Sequence, residues 1–229
     1  MAQKPVIDRP DIDLSIDDAP VFKSEGTPRA LVIACGALAR EIVEFRAANR
    51  FEFLDIACLP AKLHNRPQWI PEAVREKIRA NKDKYRSIFV AYGDCGTGGL
   101  LDKVLAEEGV ERIGGPHCYA FYTGQDAFEK ITDDDPTSFF LTDYMVRHFD
   151  RLIIEGLGLD RFPDLLNDYF GNYTNVIYIA QTKDADLEVK ARAAAERLGL
   201  GYLYRFVGFG ELGDFLNAAA ADKNERQAS

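Results

Sequence analysis

The sequence predicts an α/β protein built on a single doubly wound, mostly parallel sheet with helices on both faces. Short apolar runs alternate along the chain with amphipathic stretches of helical period. The apolar runs are nearly continuous, as is typical of strands that are covered on both faces. With 229 residues, of which 47% are hydrophobic and 28% charged, the chain is long enough to bury a core unaided. This combination is typical of Rossmann-like architecture.

Each of the first four predicted strands is followed by a turn or loop, and the first three lead into a predicted helix. The strands are Leu31–Ala34, Phe51–Cys58, Ser87–Tyr92 and Val110–Ile113, and the helices follow near residues 40–45, 71–81 and 100–109. The second half predicts strands at 138–141, 175–180 and 201–208, with helical stretches at 144–154, 163–169 and 186–199. We expect an α/β domain at 29–217, a flexible acidic arm at 1–28 and a frayed tail at 218–229.

The charge balance and the cysteine content exclude several classes of protein. A formal charge of −9, from 28 Lys and Arg against 37 Asp and Glu, argues against nucleic-acid binding. No apolar run approaches the roughly 18 residues of a membrane span, and no secretory signal is evident. Four cysteines are too few for a disulfide scaffold. We therefore expect a cytoplasmic protein with reduced thiols.

All four cysteines follow predicted strands. Cys35 and Cys58 come at the ends of the first and second strands, Cys95 just after the third, and Cys118 after the fourth. Because the carboxyl ends of parallel strands meet at one edge of the sheet, where ligands bind, we expect these thiols to lie close together. Cys58, which sits in an apolar run, is as readily explained by core packing.

Two histidines belong to the same predicted edge, and they extend the possible ligand set. His64 lies in the loop after the second strand and His117 adjoins Cys118, whereas His148 falls on a predicted helix. Thiolate and imidazole ligands favour zinc, and after it iron. The spacings of 23, 37 and 23 residues between successive cysteines match no zinc-ribbon or ferredoxin pattern. The prediction of a metal site therefore depends on the fold.

Glycine-rich and aromatic segments near these thiols give a second kind of candidate site. The loop that contains Gly93, Gly96, Thr97 and Gly98 precedes a helix, where N–H groups hold anions or stabilise a thiolate at Cys95. Tyr119 and Tyr122 are placed to wall a flat ligand. The G-x-G-x-x-G run at 208–213 is followed by a polar tail instead of the strand that a dinucleotide site requires.

Several of these motifs together resemble a family of cytoplasmic bacterial and archaeal proteins classified as a domain of unknown function. The matching elements are Ala34-Cys35, Leu63-His64 with Pro67, Tyr92-Gly93 with Cys95-Gly96, the cysteine after the fourth strand, and the Phe139–Thr142 run. The resemblance spans about residues 30–210. Many members of that family have an acidic pair where this chain has Pro116-His117, so the surroundings of the last cysteine differ.

The resemblance implies a metabolic context rather than a reaction, because members are often encoded near corrinoid-dependent methyltransferases. It favours Cys35, His64, Cys95 and Cys118 over Cys58 as the functional set. Our first hypothesis is accordingly a zinc site made of these four residues, with His117 and Asp94 moving protons or orienting ligands. It would serve methyl transfer or corrinoid-linked one-carbon metabolism, as a zinc-thiolate methyltransferase or as an accessory protein.

Two alternatives remain open from the sequence. One is a metal-free module that binds a corrinoid or a small anion at the same edge. The other is a redox or nucleophilic enzyme that uses Cys95, with His117 as its base. The expected partners are a small molecule or a corrinoid protein, with neither nucleic acid nor membrane involved, and a homo-oligomer is compatible with all three hypotheses.

Overall fold

The computed structural model of the chain describes residues 21–23 and 30–221. Most of the predicted arm at 1–28, and the end of the predicted tail at 218–229, lie outside the described residues. Within those two segments, Val21–Phe22 forms a short strand and the last helix continues to Ala221. No helix in the described residues is long and apolar enough to cross a membrane.

The first sheet is formed by the N-terminal half of the chain. Its strands are β1 (Val21–Phe22), β2 (Ala30–Cys35), β3 (Leu54–Leu59), β4 (Ser87–Ala91) and β5 (Glu111–Arg112). Their order is β1-β3-β2-β4-β5, in which β1 is antiparallel to β3 and the other pairs are parallel. From β2 the chain runs to β3 on one side and afterwards to β4 on the other. The carboxyl end of β2 is therefore the switch point of the sheet.

Helices cover both faces of this sheet. They are α1 (Ala39–Ala48), α2 (Ile70–Arg79) and α3 (Leu100–Glu108). Right-handed crossovers place α1 on one face and α2 with α3 on the other, because the direction of strand addition reverses after β3. The final helix, α9 (Gly210–Ala221), packs on α1 and β2. The predicted α/β class with a parallel, doubly wound arrangement is confirmed.

The described strands form two hydrogen-bonded sheets, whereas the sequence predicted one. After the two-residue β5, the chain forms α4 (Cys118–Thr123) and α5 (Gln125–Asp134), and a second parallel sheet then begins. Its strands, in order, are β6 (Ser138–Thr142), β7 (Asn175–Ala180) and β8 (Gly201–Phe206). Apolar periodicity identifies strands but not their neighbours, so the division was not evident from the sequence.

The two sheets share a hydrophobic core. Ile177 and Ile179 on one face of β7 belong to the cluster that fills the first sheet. Val176, Tyr178 and Ala180 on the opposite face belong to a second cluster. That second cluster includes residues of α8 (Ala185–Leu198) and of a π-helix at Asp150–Glu155. The remaining short helices are α6 (Asp143–Arg147) and α7 (Leu166–Phe170).

The glycines of the 208–213 run have a packing role in this core. A Cβ on Gly210, which has φ +46°, would lie 2.2 Å from the carbonyl oxygen of Tyr122. A Cβ on Gly213 would lie 3.0 Å from the ring of Phe45. These two glycines therefore allow α9 to approach α4 and α1 closely, which accounts for the motif without a nucleotide.

Candidate functional site

The carboxyl ends of the parallel strands lie side by side, as expected. The register pairs Ala34 with Cys58 on one side and with Ala91 on the other. Cys35 is the last residue of β2, at the switch point, while Cys95 and Cys118 follow β4 and β5. The thiol of Cys35 accepts a hydrogen bond of 3.4 Å from the N–H of Ala37 in the turn before α1.

The loop that carries Cys95 is held against the loop that carries Cys118. The N–H groups of Asp94 and Cys95 donate to the carbonyl oxygens of Gly115 and Pro116, at 3.1 and 2.8 Å. A Cβ on Gly93 would lie 2.9 Å from the Cα of His117, so only glycine permits this approach. The two cysteine loops therefore form one unit.

Cys95 has a backbone conformation that is costly for its residue type. Its φ of +50° lies in the left-handed region, which only one other described non-glycine residue, Arg50, adopts. Backbone strain of this kind persists where the surrounding structure enforces it, and it is frequent at functional sites. The hydrogen bond to Pro116 is part of that enforcement.

Asp94 organises its own loop. Its carboxylate accepts hydrogen bonds from the hydroxyl of Thr97 at 2.7 Å and from the N–H groups of Gly99 and Gly98 at 2.8 and 3.2 Å. The Thr97 hydroxyl, followed by the N–H of Gly99, lowers the pKa of Asp94. The carboxylate therefore holds the loop that carries Cys95, and its predicted part in proton transfer stays a prediction. Of the N–H groups expected to hold an anion, that of Gly98 donates to this carboxylate and that of Thr97 to the backbone carbonyl oxygen of Asp94.

His64 stands between Cys35 and Cys95. It lies in a 3₁₀ turn at Ala61–Asn65, where its Nδ1 is 3.0 Å from the carbonyl oxygen of Ala61 and 3.7 Å from Cys35 Sγ. Because a carbonyl oxygen only accepts, Nδ1 carries a hydrogen and donates it to Ala61. Burial acts to lower the pKa of His64, but charge and hydrogen bonding from Cys35 and Cys95 raise it to about 11.

The motifs that carry His64 and Cys95 are in contact. The His64 ring is nearly parallel to that of Tyr92, with centroids 6.1 Å apart and an interplanar angle of 14°. A Cβ on Gly96 would lie 3.6 Å from the side chain of Pro67. Tyr92 is fully buried, and its pKa is raised by burial and then by the neighbouring Cys35. His64 and Cys95 therefore lie on neighbouring loops beside Tyr92, the residue that follows β4.

Cys118 is partly exposed, whereas Cys58 is fully buried. Burial raises the pKa of the Cys118 thiol, and the charges of Cys95 and Cys35 raise it further. Burial also raises the pKa of Cys58 to about 12, and this thiol is fully enclosed in the core. All four cysteines have free thiols. Within the described ranges, no three His, Cys, Asp or Glu side chains are arranged to hold a metal ion as they stand.

A cavity of about 440 Å³, which we call the thiol cavity, opens beside these residues. His64, Cys118, Tyr119 and Tyr122 line it from the first sheet. Its other wall comes from the end of β6 and the segment beyond, through Thr142, Tyr144, Met145, Arg151 and Leu152. The Tyr119 hydroxyl donates to Met145 Sδ at 3.3 Å across the junction. The volume suits a small organic molecule.

His117 points its ring into a group of aromatic side chains. The ring centroid lies 4.9 Å from that of Phe128 and 5.1 Å from that of Tyr119. Its Nδ1 is buried without a hydrogen bond, and burial lowers the pKa of the imidazole. His117 is not among the residues that line the thiol cavity.

The sequence reasoning missed a buried group of charges next to this cavity. Glu41 of α1 is buried, and burial raises the pKa of its carboxyl to about 7. Its Oε1 is 3.5 Å from Arg147, which is also 3.7 Å from the fully buried Asp143. Glu41 could have been noticed, because its spacing from Leu38 and Phe45 places a carboxylate on the apolar face of α1.

The family of the chain can be stated from its sequence. Residues 58–216 match the family described as Protein of unknown function (DUF1638), and the match covers more than half of the chain. The chain belongs to the DUF1638 family. The predicted membership of a family of unknown function is confirmed. The DUF1638 match includes His64, Cys95 and Cys118, while Cys35 lies before it. A comparison with curated proteins found no match.

Proposed function

We propose that this chain binds a thiophilic metal ion, zinc in the first instance, through Cys35, His64, Cys95 and Cys118. The observation that carries the proposal is that three cysteines and one histidine end or follow four adjacent strands whose carboxyl ends lie at one edge of the first sheet. The hydrogen bond from Nδ1 of His64 to the carbonyl oxygen of Ala61 fits the proposal, because metal-binding histidines usually donate one ring N–H in this way and bind the ion through the other nitrogen, which releases its proton.

Completion of this site requires side-chain rotation, since the thiols are not arranged for an ion as they stand. Rotation of cysteine χ1 between staggered wells moves the sulfur while the backbone stays in place. The hydrogen bonds between the two cysteine loops keep that backbone fixed. A bound cation would also favour the thiolate form of Cys118, whose pKa burial and the neighbouring thiols raise.

The proposed role of the metal is to activate a small thiol or similar ligand in the thiol cavity. Zinc acts as a Lewis acid and lowers the pKa of a bound ligand. We connect this with methyl transfer in corrinoid-linked one-carbon metabolism, the context that the family resemblance implies. A corrinoid would extend outside a cavity of about 440 Å³, so a separate corrinoid protein is the better partner. The thiols need a reducing compartment, in keeping with a cytoplasmic location.

A second candidate function uses the thiols without metal. Cys35 Sγ is 3.7 Å from His64 Nδ1 and accepts from the N–H of Ala37, so two nitrogen atoms lie beside the sulfur of a candidate nucleophile. This pair replaces the Cys95–His117 pair of our earlier hypothesis, because the His117 ring packs on Phe128 and Tyr119.

Metal analysis of the untagged chain, purified under reducing conditions, tests the first candidate. We expect about one zinc per chain, and Cys95→Ala should weaken zinc binding at least about tenfold. Chelation should lower the melting temperature and leave the far-UV spectrum unchanged, because the core does not need the ion to fold. Cys58→Ala is the matched control, since it removes a thiol outside the set.

The two candidates give different results with a thiol-alkylating reagent. If the metal-free candidate is correct, zinc is absent and Cys35 alkylates faster than free glutathione at neutral pH, with the advantage lost in His64→Gln. If the zinc candidate is correct, zinc protects Cys35 and chelation exposes it. A protein that retains no zinc after reconstitution would rule out the first candidate.

A further inference from the structure

The hydroxyl of Tyr92 is a buried polar group without a hydrogen bond. Tyr92 directly follows β4, and its side chain is fully enclosed, with an exposed fraction of 0%. Among the described residues, its hydroxyl has no hydrogen-bond partner. A hydroxyl that is buried in this way has lost its bonds to water without replacement, and such groups are rare in folded proteins. The position of this hydroxyl therefore points to a partner that forms in another state of the site.

Cysteine thiols lie close to this hydroxyl, and Cys35 acts on it most strongly. The parallel register pairs Ala34 with Ala91, so Cys35 and Tyr92 follow side by side on neighbouring strands. After burial, the proximity of Cys35 is the largest cause that raises the pKa of Tyr92, ahead of Cys95. The hydroxyl thus lies beside the Cys35 sulfur, although the two do not form a hydrogen bond as the side chains stand.

The protonation state of the Cys35 sulfur decides whether this hydroxyl can be paired. A neutral thiol is a weak hydrogen-bond acceptor, whereas a thiolate is an anionic one and accepts strongly. A cysteine binds a metal ion as the thiolate, and its sulfur keeps lone pairs for hydrogen bonds from surrounding groups. The Cys35 sulfur accepts from the N–H of Ala37, which leaves room for a second donor. A thiolate at Cys35 would thus supply the acceptor that the Tyr92 hydroxyl lacks.

We propose that Tyr92 is a positioning residue of the candidate metal site, whose hydroxyl donates a hydrogen bond to the Cys35 thiolate when the ion is bound. The inference rests on the proposed function and goes beyond its four ligands. Removal of an unpaired buried hydroxyl favours the protein without metal, while removal of the hydrogen bond to the thiolate weakens the metal-bound form. Stability and metal affinity should therefore change in opposite directions, which a purely structural tyrosine would not produce.

Tyr92→Phe tests this inference, because it removes the hydroxyl and keeps the ring. In the presence of a chelator, we expect the variant to melt roughly 2–4 °C higher than the wild type. Its affinity for zinc, measured by competition with a chromophoric chelator, should fall about tenfold or more, as is usual when a metal ligand loses a hydrogen-bond partner. With cobalt in place of zinc, the sulfur-to-cobalt absorption band should move to lower energy, because the sulfur loses a hydrogen-bond donor.

Tyr202→Phe is the matched control, since Tyr202 also has a buried hydroxyl without a hydrogen bond in the described part of the chain, but packs on the second cluster. It should bind zinc as the wild type does. A wild type that binds neither zinc nor cobalt would refute the proposed function and this inference together. If the wild type binds zinc and Tyr92→Phe binds it equally well, the inference alone is refuted. A Tyr92→Phe protein that is less stable than the wild type without metal would also overturn it, because the hydroxyl would then have a partner there.

Discussion

The strained backbone of Cys95 allows a direct test of whether its loop serves the thiol. Replacement by glycine removes the side chain and relieves the left-handed conformation at φ +50°. Replacement by alanine removes the same thiol but keeps the strain. Both variants lose the same interactions of the sulfur, so the difference between them isolates the backbone term. We expect Cys95→Gly to be more stable than Cys95→Ala.

The size of this difference follows from two opposing costs. A non-glycine residue in the left-handed region costs roughly 1–2 kcal/mol. Glycine loses more backbone freedom on folding than alanine, at a cost of roughly 0.5–1 kcal/mol. The net advantage of glycine is therefore about 1 kcal/mol, which for a domain of this size raises the melting temperature by roughly 2–4 °C.

Chemical denaturation in the presence of a chelator measures this difference without a contribution from any metal. Arg50 is the matched control site, because it has φ +54° at the end of α1 and lies outside the candidate site. Arg50→Gly should also exceed Arg50→Ala in stability. If glycine is favoured at Arg50 but not at Cys95, the loop is not held in the strained conformation, and the inference of function from strain fails.

Two further predictions concern buried groups. Burial raises the pKa of Glu41 in the folded protein from 4.5 to about 7. The contribution of this carboxyl to the free energy of unfolding is therefore fully present below pH 4.5 and is lost as the pH rises through about 7. The loss of unfolding free energy between pH 5 and pH 8, about 3 kcal/mol at most, should be absent in Glu41→Gln when urea unfolding is measured at both pH values. An identical pH dependence of stability in the variant and the wild type would contradict this prediction. Gly210→Ala should destabilise by roughly 1–3 kcal/mol because its Cβ would meet a carbonyl oxygen at 2.2 Å. Gly98→Ala is the control, because the added Cβ would lie in open space. If Gly210→Ala melts no lower than Gly98→Ala, the clash at Gly210 is refuted.

The proximity of the four candidate ligands could be predicted because it depends on local signals. Apolar runs show where strands end, and parallel pairing places those ends at one edge. Cys35, Cys95 and Cys118 need no more than this to be neighbours. Their side-chain directions depend on loop contacts such as that of Gly93 with His117, which no periodicity describes.

The sequence left the role of Asp94 open between proton transfer and the orientation of ligands. A carboxylate beside a cysteine in a glycine-rich loop is a residue type that catalytic sites use as a general acid or base. In the structure the same carboxylate binds the N–H groups of Gly98 and Gly99, which fixes the loop. Asx side chains commonly form such local hydrogen bonds, so this alternative was available from the sequence.

Glu41 and Asp143 depend on tertiary contacts between segments about 100 residues apart. Asp143 directly follows β6, so the rule that placed the cysteines at strand ends applied to it as well. Its carboxylate accepts hydrogen bonds from the hydroxyl of Tyr178 and the N–H groups of Gln181 and Thr182. These partners follow only from the pairing of β6 with β7.

The division into two sheets explains why the thiol cavity exists. In a single continuous sheet, β6 would extend the first sheet and its carboxyl end would lie along the same edge as the cysteines. The second sheet is instead a separate layer, and the segment that follows β6 faces the thiol edge and forms the opposite wall. The family match at residues 58–216 includes the whole second sheet and, on the opposite wall, His64 and Cys118. The second sheet therefore belongs to the candidate site, because the segment after β6 forms the wall that faces His64 and Cys118 across the thiol cavity.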